Sequence, residues 1–203
     1  MKIFCIGRNY SEHAAELNND VPTTPMVFMK PHTALLVDGK PFYFPSFSNN
    51  IHYEIELVLK IGKNGKNIPK EFASSYYDEI GLGIDFTARD LQQELKSQGF
   101  PWEKAKAFDN SAVLGGFKYK NEFTSNIDIT FSLNLNDKPV QIGNSKDLIF
   151  DFDTLISHIS EYFTLQKGDL IYTGTPAGVG PVKIGDRLEG YIGVDKLLDC
   201  EIK

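Results

Sequence analysis

The segment His52-Tyr53-Glu54-Ile55-Glu56-Leu57-Val58-Leu59-Lys60-Ile61 constrains this chain more than any other. Ile55, Leu57, Leu59 and Ile61 fall on alternate positions, the period of a β-strand that turns one continuous apolar face to a core. Glu54 and Glu56 therefore point together to the opposite face. Two residues of strand advance about 6.6 Å, so two flexible carboxylates at that spacing can converge on one ion. At neutral pH such a pair repels unless a cation or a proton intervenes. Oxygen-only ligands favour Mg²⁺, Mn²⁺ or Ca²⁺ over zinc. Read alone, the pair is more simply the solvent face of an antiparallel strand.

The rest of the chain also reads as sheet. Gly and Pro punctuate it at short intervals, and Ile3–Ile6, Met26–Met29, Ile80–Ile84, Ile129–Leu135, Leu170–Tyr172 and Arg187–Ile192 are strand-like. Asn136-Asp137-Lys138 reads as a hairpin connection, with Pro139 restarting the second strand. Helical signals are fewer. Thr87-Ala88-Arg89-Asp90 resembles a capping box, Leu91 and Leu95 follow at i,i+4, and Gly99 is a natural residue to end the helix. A second helix is predicted over Asp153–Tyr162, with Leu155, Ile156, Ile159 and Phe163 inward, and a third over Glu12–Leu17. No repeat or linker interrupts the chain, which predicts one β-rich α+β domain over residues 1–203.

Composition narrows the function classes. A chain of 203 residues is long enough for one domain with a sizeable core. The net charge of −6 gives no basic footprint, so nucleic acid is not an expected partner. No run approaches the ~20 apolar residues of a membrane span, and Met1–Gly7 is too short an apolar run for a signal peptide. Cys5 and Cys200 are too few for a disulfide framework and lack metal-site spacing. Both read as small buried hydrophobes, and a cytoplasmic location is expected.

Four further features carry possible chemistry. Asp85 ends the apolar strand Ile80-Gly81-Leu82-Gly83-Ile84 just before a helix, where it is either a cap or a third acidic ligand. His13 and Glu16 are three apart on a predicted helix, so the carboxylate can orient the imidazole as a general base, or the pair is surface decoration. Lys30 and Lys106 each lie in apolar surroundings and read first as snorkelling surface lysines. The glycine-rich stretch Tyr172–Pro181 lacks the signatures of phosphate and dinucleotide loops, although its amides and hydroxyls suit a carboxylate.

Together these segments resemble the fumarylacetoacetate hydrolase family, in particular its acylpyruvase and oxaloacetate-decarboxylase branch. The resemblance rests on Cys5-Ile6-Gly7-Arg8-Asn9-Tyr10 with His13, on His52–Leu57, and on Asp85-Phe86-Thr87-Ala88-Arg89-Asp90-Leu91-Gln92. It continues in Pro101-Trp102 with Ala105-Lys106 and Phe108, and in Gly168–Pro176 with Gly178-Val179-Gly180. Five motifs in the family's order span nearly the whole chain and outweigh the simpler readings of each.

The resemblance implies a mixed β-sandwich or roll with a few short helices, and a homodimer. It implies Mg²⁺ or Mn²⁺ held by Glu54, Glu56 and Asp85, with His13 and Glu16 on a lid-like segment and Lys106 as a catalytic cation. Arg8, Lys30, Arg89, Gln92 and Thr175 would surround a small 2-oxo acid substrate. The expected chemistry is acylpyruvate hydrolysis or oxaloacetate decarboxylation through a metal-stabilised enolate. The alternatives are an isomerase or tautomerase of dienoic diacids or oxaloacetate and, in another class, a non-catalytic metal- or ligand-binding β-domain.

Overall fold

In the computed structural model, which describes residues 1–16, 20–37, 39–123 and 128–203, the chain folds around a seven-stranded mixed sheet. Its strands, in spatial order, are β2 (Met26–Lys30), β1 (Ile3–Gly7), β11 (Leu170–Tyr172), β5 (Ile55–Ile61), β6 (Tyr77–Asp85), β8 (Ala112–Tyr119) and β3 (Leu35–Leu36). Only the β1–β11 and β3–β8 pairs are parallel. A four-stranded antiparallel sheet runs β10 (Lys138–Asn144), β9 (Thr130–Leu135), β13 (Arg187–Ile192), β14 (Asp195–Glu201). A small third sheet joins β12 (Gly180–Pro181), β4 (Ile51–Tyr53) and β7 (Thr87–Ala88). The helices are α1 (Ser11–Glu16), α2 (Lys70–Ala73), α3 (Arg89–Gln98), α4 (Glu103–Lys106) and α5 (Phe152–Tyr162).

The core forms where the alternation demands it. Ile55, Leu57, Leu59 and Ile61 are buried and share one cluster with Leu82 and Ile84 of β6, Phe131 and Leu133 of β9, and Leu188 and Leu198 of β13 and β14. The helix α5 adds Phe152, Leu155, Ile156 and Ile159 to it. Each such side chain contributes about 1.5–3 kcal/mol by leaving water, so the sheets pack face to face. The other face of β5 is not solvent: Val58 and Glu56 are buried too. Cys5 and Cys200 are free thiols at no exposure, as read from the sequence.

Local expectations hold with instructive differences. Asn136 and Asp137 both adopt positive φ, 50° and 65°, the two-residue hairpin loop whose twist matches antiparallel strands. Lys138 already pairs with Leu135, so the connection is one residue shorter than its sequence suggests. Pro139 sits on β10, an edge strand, where its missing N–H is tolerated. The helix α5 starts one residue before its predicted span, with Asp151 accepting from Thr154 N at 2.8 Å as N-cap. Of the segment predicted helical over Glu12–Leu17, Ser11–Glu16 forms α1 and Leu17 lies outside the described residues.

The capping box at Thr87 does not form. Helix α3 begins at Arg89 after Ala88, with no side-chain cap, and ends at Gly99 in the left-handed conformation. Thr87 is in β7, and its hydroxyl accepts from Lys106. Asp90 instead ties the helix to the 48–49 loop, taking Ser48 Oγ at 2.6 Å and Asn49 N at 2.9 Å. Among the described residues, no helix is long and apolar enough to cross a membrane.

Candidate active site

Three buried carboxylates meet at one end of the large sheet. Glu56 lies on β5 opposite Gly83 of β6, and Asp85 is the last residue of β6. Glu54 occupies the break between β4 and β5, where the chain passes from the small sheet to the large one. Its sequence neighbourhood reads as one uninterrupted strand, yet both glutamates still turn to the same side. One oxygen from each of Glu54, Glu56 and Asp85 lies within 4.8 Å of the others.

Buried cations answer this charge. The Lys106 ammonium donates to Glu54 Oε2 at 2.6 Å, Asp85 Oδ2 at 2.8 Å and Thr87 Oγ1 at 2.6 Å, using all three of its protons. Arg89 pairs with Glu54 Oε1 and gives a second bond to Gln92 Oε1 at 2.6 Å. Its Nε is buried without a partner. Lys30 Nζ is 2.7 Å from Asp85 Oδ1 and donates to Ser111 Oγ at 2.9 Å and to the Lys106 carbonyl. Neither Lys30 nor Lys106 snorkels; both are buried.

The three carboxylates differ in what holds them. Burial alone would push Glu54 up, but Lys106 and Arg89 outweigh it and hold Glu54 well below the ordinary glutamate range. Glu56 has no such partner. Burial, then Asp85 and Glu54, drive its pKa well above the ordinary value, against one amide bond from Gly174 N at 2.6 Å. Lys106 is raised, because Asp85 and Glu54 overcome the burial that would lower it.

The donor set fits a hard divalent cation. It is all oxygen, and Asp85 Oδ1, although beside Lys30, makes no aligned hydrogen bond. The Lys106 ammonium held between Glu54 and Asp85 shows that a cation is stable there.

Above the carboxylates lies a cavity of about 60 Å³, lined by His13, Arg8, Arg89, Gln92, Lys106 and Thr175 among others. Lys30, expected to reach the substrate, does not line it; it stands behind Asp85, bonded to protein. His13 is buried, with Nδ1 3.2 Å from Glu16 Oε2. An ionised carboxylate only accepts, so in this pair Nδ1 carries the proton and a neutral ring keeps its other nitrogen as a base. The other oxygen of Glu16 accepts from Gly178 N at 3.0 Å.

The glycine-rich loop thus holds Glu56 at one end and the helix α1 at the other. At Gly174 the backbone has φ +106°, and a Cβ there would stand 2.7 Å from Asn9 Cβ. Only glycine lets that amide approach Glu56. Asn9, wholly buried, fixes the same peptide from its other side by donating to Thr173 O at 2.8 Å.

The model of the fumarylacetoacetate (FAA) hydrolase C-terminal region matches residues 2–201. The chain belongs to the fumarylacetoacetate hydrolase family. It is 38% identical over 201 residues to oxaloacetate tautomerase FAHD1, mitochondrial, of Mus musculus, covering 99% of this chain and 90% of the relative. It is 42% identical over 188 residues to oxaloacetate tautomerase YcgM of Escherichia coli K12, covering 92% and 86%. A fumarylacetoacetate hydrolase family protein of Yersinia pestis superposes with a TM-score of 0.95 at 38% identity, over 100% of this chain and 93% of the other. Fumarylpyruvate hydrolase of Pseudomonas aeruginosa, solved with Mn²⁺ and pyruvate, gives 0.93 at 36% identity, over 100% and 89%. The mixed β-sandwich expected of this family is the fold observed.

Sequence reasoning gave no role to Asn9, Ser111 or Gln141 and read Thr87 only as a helix cap; all four are buried polar residues around the site. Each acts through contacts made far along the chain, which no local pattern displays.

Proposed function

We propose that this member of the fumarylacetoacetate hydrolase family is a divalent-metal-dependent enzyme acting on small 2-oxo acids that carry a second carboxylate. The charge balance of the site supports it. Three buried carboxylates, Glu54, Glu56 and Asp85, stand against three buried cations, Lys30, Lys106 and Arg89. A divalent ion held by the carboxylates leaves two positive charges in excess, and a dianion meets that demand.

Mg²⁺ or Mn²⁺ held by Glu54, Glu56 and Asp85 supplies Lewis-acid polarisation of a keto oxygen presented beside a carboxylate. The protein supplies the rest. Arg89 lines the cavity with its guanidinium charge, and Thr175 offers a hydroxyl from the cavity wall. Lys106 adds a permanent charge. His13, with Nδ1 tied to Glu16, would carry a proton between the enol oxygen and C3 of the substrate.

Sequence reasoning placed hydrolysis and decarboxylation first. The curated relatives bring keto–enol isomerisation of oxaloacetate forward, since two at 38% and 42% identity are oxaloacetate tautomerases. Hydrolysis of a fumarylpyruvate-like acid is the second reading, supported by the Pseudomonas neighbour and by His13 and Glu16, which suit water activation.

The test is a stopped-flow assay of enol-oxaloacetate decay, beside fumarylpyruvate cleavage and oxaloacetate decarboxylation, each with Mg²⁺, Mn²⁺ and chelator. Faster enol decay with metal supports the first reading, and cleavage alone supports the second. No metal-dependent turnover of any of the three would leave a binding domain and overturn the proposal.

A further inference from the structure

Gln141 is 1% exposed and lies on β10, in the second sheet, outside every motif that pointed to the site. The pairing of β10 with β9 shifts register between Pro139 and Gln141. A bulge of this kind re-aims the side chain that follows it. The amide of Gln141 makes three bonds. Its Oε1 accepts from Ile55 N at 3.0 Å, and its Nε2 donates to Thr175 Oγ1 at 2.9 Å and to Pro176 O at 2.8 Å.

These bonds join two pieces of the site. Ile55 sits between Glu54 and Glu56 at the break where β5 begins, and β11 pairs with β5 only from Val58 to Lys60. No ladder bond from that side reaches Ile55, so Gln141 satisfies its N–H. The other two bonds hold the loop that carries Thr175. That loop also rests on the bulge itself, since a Cβ at Gly178 (φ +98°) would stand 2.4 Å from Val140 O.

The bond to Thr175 has a direction with chemical consequence. The hydroxyl oxygen already accepts the amide proton of Gln141, so its own proton is free for another acceptor. Thr175 lines the cavity above the carboxylates. We propose that Gln141 is the positioning residue that fixes Thr175 as a hydrogen-bond donor to the anionic end of a 2-oxo acid, at a set height over the Glu54–Glu56 strand. The inference rests on the 2-oxo acid reading of the site.

The experiment is calorimetric titration of pyruvate into the Mn²⁺-loaded protein, for wild type, Gln141→Met, Thr175→Val and the double variant. Mn²⁺ affinity is measured separately by electron paramagnetic resonance of the free ion. Each single variant should weaken pyruvate binding about tenfold or more, the loss of one hydrogen bond to a charged group. The double variant should lose no more than the worse single one, because both changes remove the same donor. Mn²⁺ affinity should fall less than pyruvate affinity does, as neither change removes one of the three carboxylates. Gln141→Glu tests orientation without loss of shape. It keeps an acceptor for Ile55 N but offers Thr175 an acceptor in place of a donor, drawing the hydroxyl proton away from the cavity. It should therefore bind pyruvate as poorly as Thr175→Val. Wild-type pyruvate affinity in Gln141→Met or Gln141→Glu, additive losses in the double variant, or a parallel fall in Mn²⁺ affinity would each overturn the inference alone. Wild-type protein that binds Mn²⁺ but no pyruvate would overturn the 2-oxo acid reading and this inference with it.

Discussion

The backbone N–H of Asp85 donates to the carbonyl of Glu54 at 2.9 Å, so two of the three converging carboxylates are hooked together by a backbone bond at the end of the β5–β6 ladder. Their spacing is set by backbone, not by side-chain choice. Substituting either should leave the frame in place while removing a ligand. Asp85→Asn should lower Mn²⁺ affinity by more than the ~10–100-fold that loss of a supporting contact costs. Calorimetry checks this, and unchanged affinity in Asp85→Asn, Glu54→Gln and Glu56→Gln together would sink the metal assignment.

The same substitutions should separate in the metal-free protein. Asp85→Asn leaves the buried Lys30 without its ion partner, a loss on the order of 3–5 kcal/mol. Glu56→Gln should instead hold or raise the metal-free melting temperature, because burial, Asp85 and Glu54 all oppose that charge. Added Mn²⁺ should raise the melting temperature of wild type and of neither variant.

Glu54 and Glu56 also give opposite pH dependences. Glu54 is depressed, so its stabilisation is present above the ordinary value of 4.5 and is lost as pH falls below it. Glu56 is raised, so the stability it lends is full below 4.5 and is lost as pH rises through its elevated pKa. The metal-free melting temperature should therefore decline from mildly acid toward neutral pH, and the gain from Mn²⁺ should widen over the same range. In Glu56→Gln that decline should vanish; a decline of unchanged size would mean another group is responsible.

Much of this site is legible in the sequence because its signals are local. The alternation of Ile55, Leu57, Leu59 and Ile61 reports a strand and, with it, the shared direction of Glu54 and Glu56. What is not legible is made by distance. The break at Glu54 has no glycine or proline to mark it, and arises because Ile51–Tyr53 pairs with β7 and β12 while Ile55–Ile61 pairs with β6 and β11. The Thr87 hydroxyl would cap a helix on local grounds, but Lys106, 19 residues on, takes it first. Gln141 on an edge strand looks like any solvent-facing polar residue until the loop folds over it.

Lys106 competes with a metal ion for oxygens of Glu54 and Asp85, which it holds at 2.6 and 2.8 Å. Lys106→Met should therefore bind Mn²⁺ at least as tightly as wild type, while destabilising the metal-free protein by leaving Glu54 with Arg89 alone and Asp85 with Lys30 alone. The melting-temperature gain on adding Mn²⁺ should exceed that of wild type, yet turnover should fall for want of the cavity's fixed charge. Weaker Mn²⁺ binding would show that Lys106 instead builds the metal site.

His13 and Glu16 carry the last expectation, a division of labour between proton transfer and charge stabilisation. The ring nitrogen Nδ1 lies 3.2 Å from Glu16, whose other oxygen is pinned by Gly178 N at 3.0 Å, so the imidazole is held at a fixed angle over the cavity. Isomerisation needs a proton moved at C3, and hydrolysis needs one taken from water. Decarboxylation of oxaloacetate needs neither, since carbon dioxide leaves with the bond electrons retained by the substrate. His13→Ala should thus cost the first two reactions ~10²–10⁴ in kcat, about 3–5 kcal/mol of barrier, and spare decarboxylation. Glu16→Gln should show the same asymmetry in milder form, because it orients the base and does not take the proton. Mn²⁺ affinity should be unchanged in both, as neither residue is among the converging carboxylates. The measurement is kcat for each substrate at saturating Mn²⁺. Equal losses in all three reactions would mean that His13 acts by closing α1 over the cavity, and its assignment as base would fall.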